Sequence, residues 1–153
     1  MSKDAADSQS PKQSQPWHIE LLRLPNGQIP YLTFRSSLNP YEEELLDLCI
    51  EQILARAGLN VCETNWGKAL GAGLYEFRIH RSLKALANQL GIELPGEFNG
   101  DRSKLLRVFF TVEGQKIILL ISGYDKGKDP SRRKQQKMIE TARSLLKRHK
   151  NNP

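Results

Sequence analysis

The sequence predicts an α+β fold, because strand-like alternation and helical spacing occupy separate blocks of the chain. Three alternating or apolar runs between residues 73 and 122 predict an antiparallel meander, with helical patterns before and after it. We therefore expect N-terminal helices packed on a small twisted antiparallel sheet, followed by a C-terminal helix. The 153 residues are enough for one domain that buries about two-thirds of its unfolded surface.

The domain is expected to cover residues 17–150. Residues 1–16 are rich in Ser, Gln, Asp and Lys and lack the apolar stretch of a secretory signal, so we expect a disordered tail. No apolar run approaches the roughly eighteen residues that span a bilayer, which predicts no membrane partner. Cys49 and Cys62 form no framework of spaced pairs, which favours reduced thiols and a cytoplasmic location.

In the N-terminal half, residues 17–23 and 29–34 are predicted to be strands joined at the Pro-Asn-Gly turn of residues 25–27. Asn39 as cap, Pro40 in the first turn and Glu42 three residues after the cap predict a helix from 39 to about 57. Residues 59–70 fit a short helix and a loop. The predicted buried face of the long helix comprises Leu45, Leu48, Cys49, Gln52 and Ile53, and its solvated acidic face comprises Glu42, Glu43, Glu44, Asp47 and Glu51.

In the C-terminal half, residues 73–80, 105–112 and 116–122 are predicted to be the strands of the meander. Helical spacing at residues 82–90 and a loop at 91–103 separate the first two strands. Asp129 and Pro130 are typical of a helix start. The core stripe of this last helix is predicted to comprise Met138, Ile139, Ala142, Leu145 and Leu146.

Positive charge is concentrated near the C-terminus. Residues 124–150 contain ten Lys or Arg and three Asp or Glu, a net charge of about +7, whereas the whole chain carries +6. A local positive field of this kind favours a polyanionic partner and points to nucleic acid. The three histidines are scattered without ligand-like spacing, so neither a metal nor another cofactor is expected.

Alternation along the predicted strands indicates a phosphate site. Arg78 and Arg107 each point away from their apolar neighbours, so both can emerge on one partly polar face of the sheet. The loop after the third meander strand would bring Tyr124, Lys126 and Lys128 to its rim, and converging cations of this kind bind phosphate. The alternative is that Arg78 pairs with a carboxylate such as Glu76. His80 and Glu76, on the same face, are candidates for pairing or for proton transfer.

Three segments together resemble the RelE/ParE toxin superfamily, in its phage-related HigB-like branch. They are residues 70–79, with Gly73-Leu74-Tyr75-Glu76-Phe77-Arg78-Ile79; residues 106–120, with Leu106-Arg107-Val108-Phe109-Phe110 and Ile117-Ile118-Leu119-Leu120; and residues 124–143, with Tyr124-Asp125-Lys126-Gly127-Lys128-Asp129-Pro130. The resemblance implies a RelE-like fold and the toxin of a type II toxin–antitoxin system. It also implies a metal-independent mRNA endonuclease that acts on the ribosome and inhibits translation, with mRNA, ribosomal RNA and a cognate antitoxin, such as a helix-turn-helix protein, as partners.

By position, the resemblance assigns Arg107 to the scissile phosphate and makes Arg78, Lys126 and Lys128 the other catalytic candidates. Tyr124, His80, Arg132, Arg133 and Lys134 are the predicted RNA-binding residues. The general base is open between His80 and a Lys whose pKa is lowered by neighbouring cations.

The sequence departs from the family pattern in two places. An insertion at about 82–104 separates the strands of Arg78 and Arg107, and Glu76 occupies a place where some members carry Lys. The insertion is consistent with a lid, an antitoxin contact or an inert ornament. Two other functions are compatible with the chain: a ParE-like inhibitor of DNA gyrase and a basic binding protein without catalysis.

Overall fold

The computed structural model describes residues 15–94 and 101–151 and confirms an α+β architecture. Its strands form one five-stranded sheet in the order β1-β5-β4-β3-β2. They are β1 His18–Leu21, β2 Gly67–Gly71, β3 Leu74–Ile79, β4 Leu106–Glu113 and β5 Ile117–Asp125. The α-helices are α1 Pro30–Ser36, α2 Pro40–Cys49, α3 Ala55–Ala57, α4 Leu83–Leu90 and α5 Arg132–Asn151. Residues 1–14 of the predicted tail and 95–100 of the predicted loop lie outside the described residues.

The predicted meander is confirmed, because β3, β4 and β5 pair antiparallel in chain order. The sheet is nevertheless mixed, since β1 pairs in parallel with β5 at one edge. At the other edge, β2 pairs with β3, where the sequence predicted only a short helix and a loop. The short helix does exist, as the 3₁₀ turn Gly58–Glu63 that precedes β2.

The predicted strand at residues 29–34 is wrong, because this segment is the helix α1. Pro30 lies in the first turn, where its fixed φ favours a helix start and its missing N–H costs nothing. Tyr31 and Phe34, three residues apart, are the buried residues of this helix. The turn at 25–27 is present, with the N–H of Gly27 bonded to the carbonyl of Leu24, but it does not close a hairpin.

Helix α2 begins at the predicted capping box. Asn39 accepts a bond from the N–H of Glu42, whose side chain accepts one from the N–H of Asn39. After Cys49 the chain continues through the π-helical turn Ile50–Leu54, and in this wider turn Ile50 and Leu54 are buried in place of the predicted Gln52 and Ile53. The buried residues are Tyr41, Glu42, Leu45, Leu46, Cys49, Ile50 and Leu54, whereas Leu48, Gln52 and Ile53 are only half-buried.

Glu42 was expected on the solvated acidic face but is buried. Its carboxylate pairs with the ammonium of Lys104 at 2.8 Å, and this partner offsets the cost of removing the charge from water. Burial disfavours the charged carboxylate, yet bonds from Lys104 and from the N–H of Asn39, with Lys128 nearby, hold the pKa of Glu42 below its usual value.

Helix α5 begins at Arg132, two residues later than predicted. The hydroxyl of Ser131 accepts a bond from the N–H of Lys134, and its carbonyl accepts one from the N–H of Gln135. Ser131 therefore caps the helix in place of Asp129, which instead accepts a bond from the N–H of Ser131.

The two faces of the sheet carry separate hydrophobic cores. The larger core packs Phe77, Val108 and Phe110 against the helices of the N-terminal half. The smaller core packs Phe109, Leu119 and Ile121 against α5 through Ala142, Leu145 and Leu146, as the predicted stripe requires. In the part of the chain that the structure describes, no helix is long and apolar enough to cross a membrane.

Candidate phosphate-binding site

A row of polar side chains crosses the end of the sheet on the face that carries α5. Arg78 on β3 pairs directly with Arg107 on β4, and Arg107 pairs with Tyr124 on β5. In such a register, neighbouring Cβ atoms lie about 4.5–5.5 Å apart. The two arginines that alternation placed on one face are therefore immediate cross-strand neighbours.

Glu76 lies one row further into the sheet and partly balances this charge. Its carboxylate accepts a hydrogen bond of 2.9 Å from Nε of Arg78, and its side chain is fully buried. The pairing that the sequence left as an alternative therefore exists. It leaves Arg107 without a carboxylate within ion-pair distance in the described residues, although the charge of Glu76 is near enough to act on it.

Several buried polar atoms of these two rows have no hydrogen-bond partner among the described residues. They are Oε2 of Glu76, Nε of Arg107, Oγ of Ser122 and the hydroxyl of Tyr124. Ser122 belongs to the row of Glu76, since both pair with Phe109 on β4. A buried polar group without a partner costs about 1–3 kcal/mol, so a cluster of four marks a place where a ligand or water is expected to bind.

The guanidinium of Arg107 is the most enclosed cation of the site, with only 7% of the residue exposed. One of its terminal nitrogens donates to the carbonyl of Leu106 at 3.3 Å. Burial lowers the pKa of Arg107, and the positive charge of Arg78 lowers it further, although arginine remains charged. The site therefore holds a charge that an anion would stabilise.

Lys126 lies just beyond β5 and is half-buried over the same end of the sheet. Burial lowers the pKa of Lys126, and the charges of Arg107 and Arg78 lower it further, while Glu76 opposes them. The ammonium of Lys126 therefore lies within electrostatic range of Arg107, Arg78 and Glu76. Lys126, Arg78 and Arg107 together carry three positive charges against the one carboxylate of Glu76.

Tyr124 completes the row on β5. Its ring is stacked on that of Phe109, with 6.1 Å between centroids and 9° between planes. Burial raises the pKa of Tyr124, and the negative charge of Glu76 raises it further. The phenol therefore stays protonated at neutral pH, and its buried hydroxyl is a hydrogen-bond donor without a partner among the described residues.

His80 follows β3 directly, and its ring is tilted against the indole of Trp66, with 5.1 Å between centroids. Its Nδ1 lies 3.3 Å from the carbonyl oxygen of Arg78. Because a carbonyl only accepts, this contact requires a proton on Nδ1 and leaves Nε2 as an acceptor. Burial lowers the pKa of His80, and the charges of Arg81, Arg107 and Arg78 add to the effect.

The other predicted residues lie outside this cluster. Lys128 is exposed on the loop, where its N–H donates to the side chain of Asp125. Arg132 and Arg133 are exposed, and Lys134 half-buried, in the first turn of α5. They form a basic surface beside the row and do not enter it.

Sequence reasoning weighed Glu76 as a partner of Arg78 but did not identify Ser122. A β-bulge explains the omission, because the pairing of β4 with β5 shifts between Phe109 and Phe110. The shift leaves Ile121 without a paired residue and moves Ser122 opposite Phe109. No feature of the local sequence indicates the bulge.

Two cavities among the described residues lie away from the row. A cavity of about 420 Å³ lies between the end of β1 and the last turns of α5, lined by Leu22, Leu24, Leu145 and their neighbours. A shallow basic hollow of about 520 Å³ lies over the start of α5, lined by Asp129, Ser131, Arg133, Lys134 and Lys137. The orphaned atoms and the charge imbalance, more than concavity, therefore define the site.

Comparison of the chain with protein-family models, with curated proteins and with solved structures finds no match. The resemblance to RelE/ParE toxins accordingly rests on the residues and their order alone.

Proposed function

We propose that the chain is a metal-independent RNA endonuclease, a RelE/HigB-like toxin of a type II toxin–antitoxin system that acts in the cytoplasm on mRNA at the ribosome. The direct pairing of Arg78 with Arg107 carries the proposal. Like charges directly opposite in a sheet are destabilising, and Glu76 contacts only one of them. A phosphate between the two guanidiniums would remove this repulsion and supply the missing acceptor for Nε of Arg107.

RNA brings its own nucleophile to such a site. The 2′-oxygen attacks the neighbouring phosphorus, the bond from phosphorus to the 5′-oxygen breaks, and the products are a 2′,3′-cyclic phosphate and a 5′-hydroxyl. The 2′-hydroxyl loses a proton, and the departing 5′-oxygen gains one. The protein has to hold the attacking and leaving oxygens in line and to stabilise the charge that builds on the phosphate.

The residues of the row, together with the neighbouring Lys126 and His80, suit these tasks. Arg107 and Arg78 would bind the non-bridging oxygens, where charge increases in the transition state, and Lys126 would add to the field. The acceptor Nε2 makes His80 the first candidate for the general base. The hydroxyl of Tyr124, which stays protonated, can donate to the leaving oxygen.

The proposal is tested by toeprinting on translating ribosomes. Purified protein should create new 3′ ends within codons at the ribosomal A site, and these ends should disappear when Arg107 is replaced by Gln. Gyrase-dependent DNA breaks with intact mRNA would overturn the proposal in favour of a ParE-like inhibitor. An absence of both activities in a folded protein that still binds RNA would identify a basic binding protein.

A further inference from the structure

The two ends of the insertion between the strands of Arg78 and Arg107 lie next to each other. Ser82 and Ser103 form an isolated antiparallel bridge, and the N–H of Lys104 donates to the carbonyl of Arg81 at 3.3 Å. The two ends of the insertion are therefore held side by side. Its base, defined here as residues 81–84 and 101–105, lies at the same end of the sheet as the polar row.

Two arginines in this base lie over aromatic rings. The guanidinium carbon of Arg81 lies 5.1 Å from the ring centroid of Trp66, and that of Arg102 lies 4.4 Å from the ring centroid of Tyr41. Tyr41 is itself fixed, because its hydroxyl donates to the carbonyl of Arg102 and accepts a bond from the N–H of Leu83. Stacking orients a guanidinium and lowers the entropy lost when it binds a ligand.

Neither arginine is neutralised within the described part of the protein. Among residues 15–94 and 101–151, no carboxylate lies within ion-pair distance of Arg81 or Arg102, while Lys84 and Lys104 each have one. Nε of Arg81 is also buried and has no hydrogen-bond partner in the part of the chain that the structure describes. Arg102 is exposed and Arg81 is half-buried, so both positive charges remain available to an anion from outside.

The base of the insertion borders the proposed catalytic site at the end of the sheet, although the rings beneath Arg81 and Arg102 belong to the larger core on the other face. Arg81 is close enough to His80 to lower its pKa, as are Arg78 and Arg107 in the row. On the other side, Lys104 pairs with Glu42, and the charge of Lys128 in the loop acts on the same carboxylate. The N–H of Gly127 donates to the carbonyl of Leu105 at 3.1 Å, which ties this loop to the base of the insertion.

From this arrangement we infer that Arg81 and Arg102 form a second phosphate-binding subsite, which takes the backbone of a single-stranded RNA next to the nucleotide held by the row. The choice of RNA as ligand rests on the function proposed above. Planar guanidiniums bind phosphate oxygens in pairs, and a stacked guanidinium presents its edge in a fixed direction. The insertion thereby extends the substrate surface and determines the path of the strand beyond the cleaved bond.

The test measures binding separately from cleavage. The probe is a fluorescent, short 2′-O-methyl oligoribonucleotide, which lacks the nucleophilic hydroxyl and stays intact. The double variant Arg81→Gln/Arg102→Gln is compared with Arg56→Gln/Lys116→Gln, which removes the same charge from two exposed residues outside the site. For single strands, the magnitude of the slope of log affinity against log salt falls by about 0.7 for each phosphate that the protein no longer neutralises. The magnitude of the slope should therefore decrease by about 1.4 in the first variant and stay unchanged in the control pair.

A third variant, Arg81→Lys/Arg102→Lys, keeps the charges and should restore most of the slope, which distinguishes the removal of a phosphate-binding charge from damage to the fold. An unchanged slope in the Gln double variant, or an equal loss in the control pair, would overturn the subsite. Because binding is measured on an uncleavable probe, the subsite can stand even if the protein proves to have no nuclease activity.

Discussion

The two faces of the central sheet differ sharply in how completely their buried atoms are satisfied. The face toward the N-terminal helices is apolar along β3, β4 and β5 and packs Phe77, Val108 and Phe110 into the larger core. The face toward α5 begins with the smaller core around Phe109 but ends in the row of Arg78, Arg107 and Tyr124, where buried polar atoms have no partner within residues 15–94 and 101–151. The first face stabilises the fold, and the second gives up stability where a ligand is expected, a division that is common in functional proteins.

The largest expected effect tests the apolar face. Phe110 is fully buried and stacks on Tyr75, with 5.5 Å between ring centroids, so Phe110→Ala should leave a cavity that neighbouring strands cannot close. We expect the free energy of unfolding to fall by about 3–5 kcal/mol, as measured by urea denaturation. A loss below about 1 kcal/mol would contradict the assignment of this face as the main source of stability.

A substitution on the polar face should lower activity and leave stability nearly unchanged. Arg107→Gln removes a buried charge that has no carboxylate in contact within the described residues, so we expect little loss of stability but a decrease of about 10²–10³ in the single-turnover rate of RNA cleavage. Ser122→Ala is the matched control, because it removes another buried, unpartnered group from the next row. If both variants lowered the cleavage rate equally, Arg107 would have no catalytic role beyond that of any buried polar group nearby. If Arg107→Gln unfolded the protein, its role would be structural.

The smallest of the three effects concerns the general base, for which His80 is the first candidate. A general base acts in its deprotonated form, so the rate should rise with pH through the pKa of the base and then level off. Since the pKa of His80 lies below its usual value of 6.5, the midpoint of the rise should also lie below pH 6.5, and His80→Gln should remove the rise with a loss of about a hundredfold in rate. A rise that begins only above pH 7 would instead point to Lys126, whose pKa is lowered from a much higher value.

Sequence patterns predicted the meander and the alternation along it, because adjacent residues of a strand point to opposite faces whatever its neighbours are. That rule was enough to place Arg78 and Arg107 on one face. The capping box at Asn39 and Glu42 was likewise a local feature, complete within four residues. The same local reasoning failed for α1, where a β-like composition at residues 29–34 was overridden by Pro30 and by the packing of Tyr31 and Phe34.

By itself, then, the sequence determined the fold class, the local helix starts and the sign and position of the charge, since each depends on residues close together in the chain. Only the tertiary structure decided that Arg78 lies beside Arg107, that Glu76 reaches only Arg78, and that the insertion brings Arg81 and Arg102 to the same end of the sheet. These relations depend on strand register, on a bulge and on loop closure over many residues, and small differences in packing energy set all three.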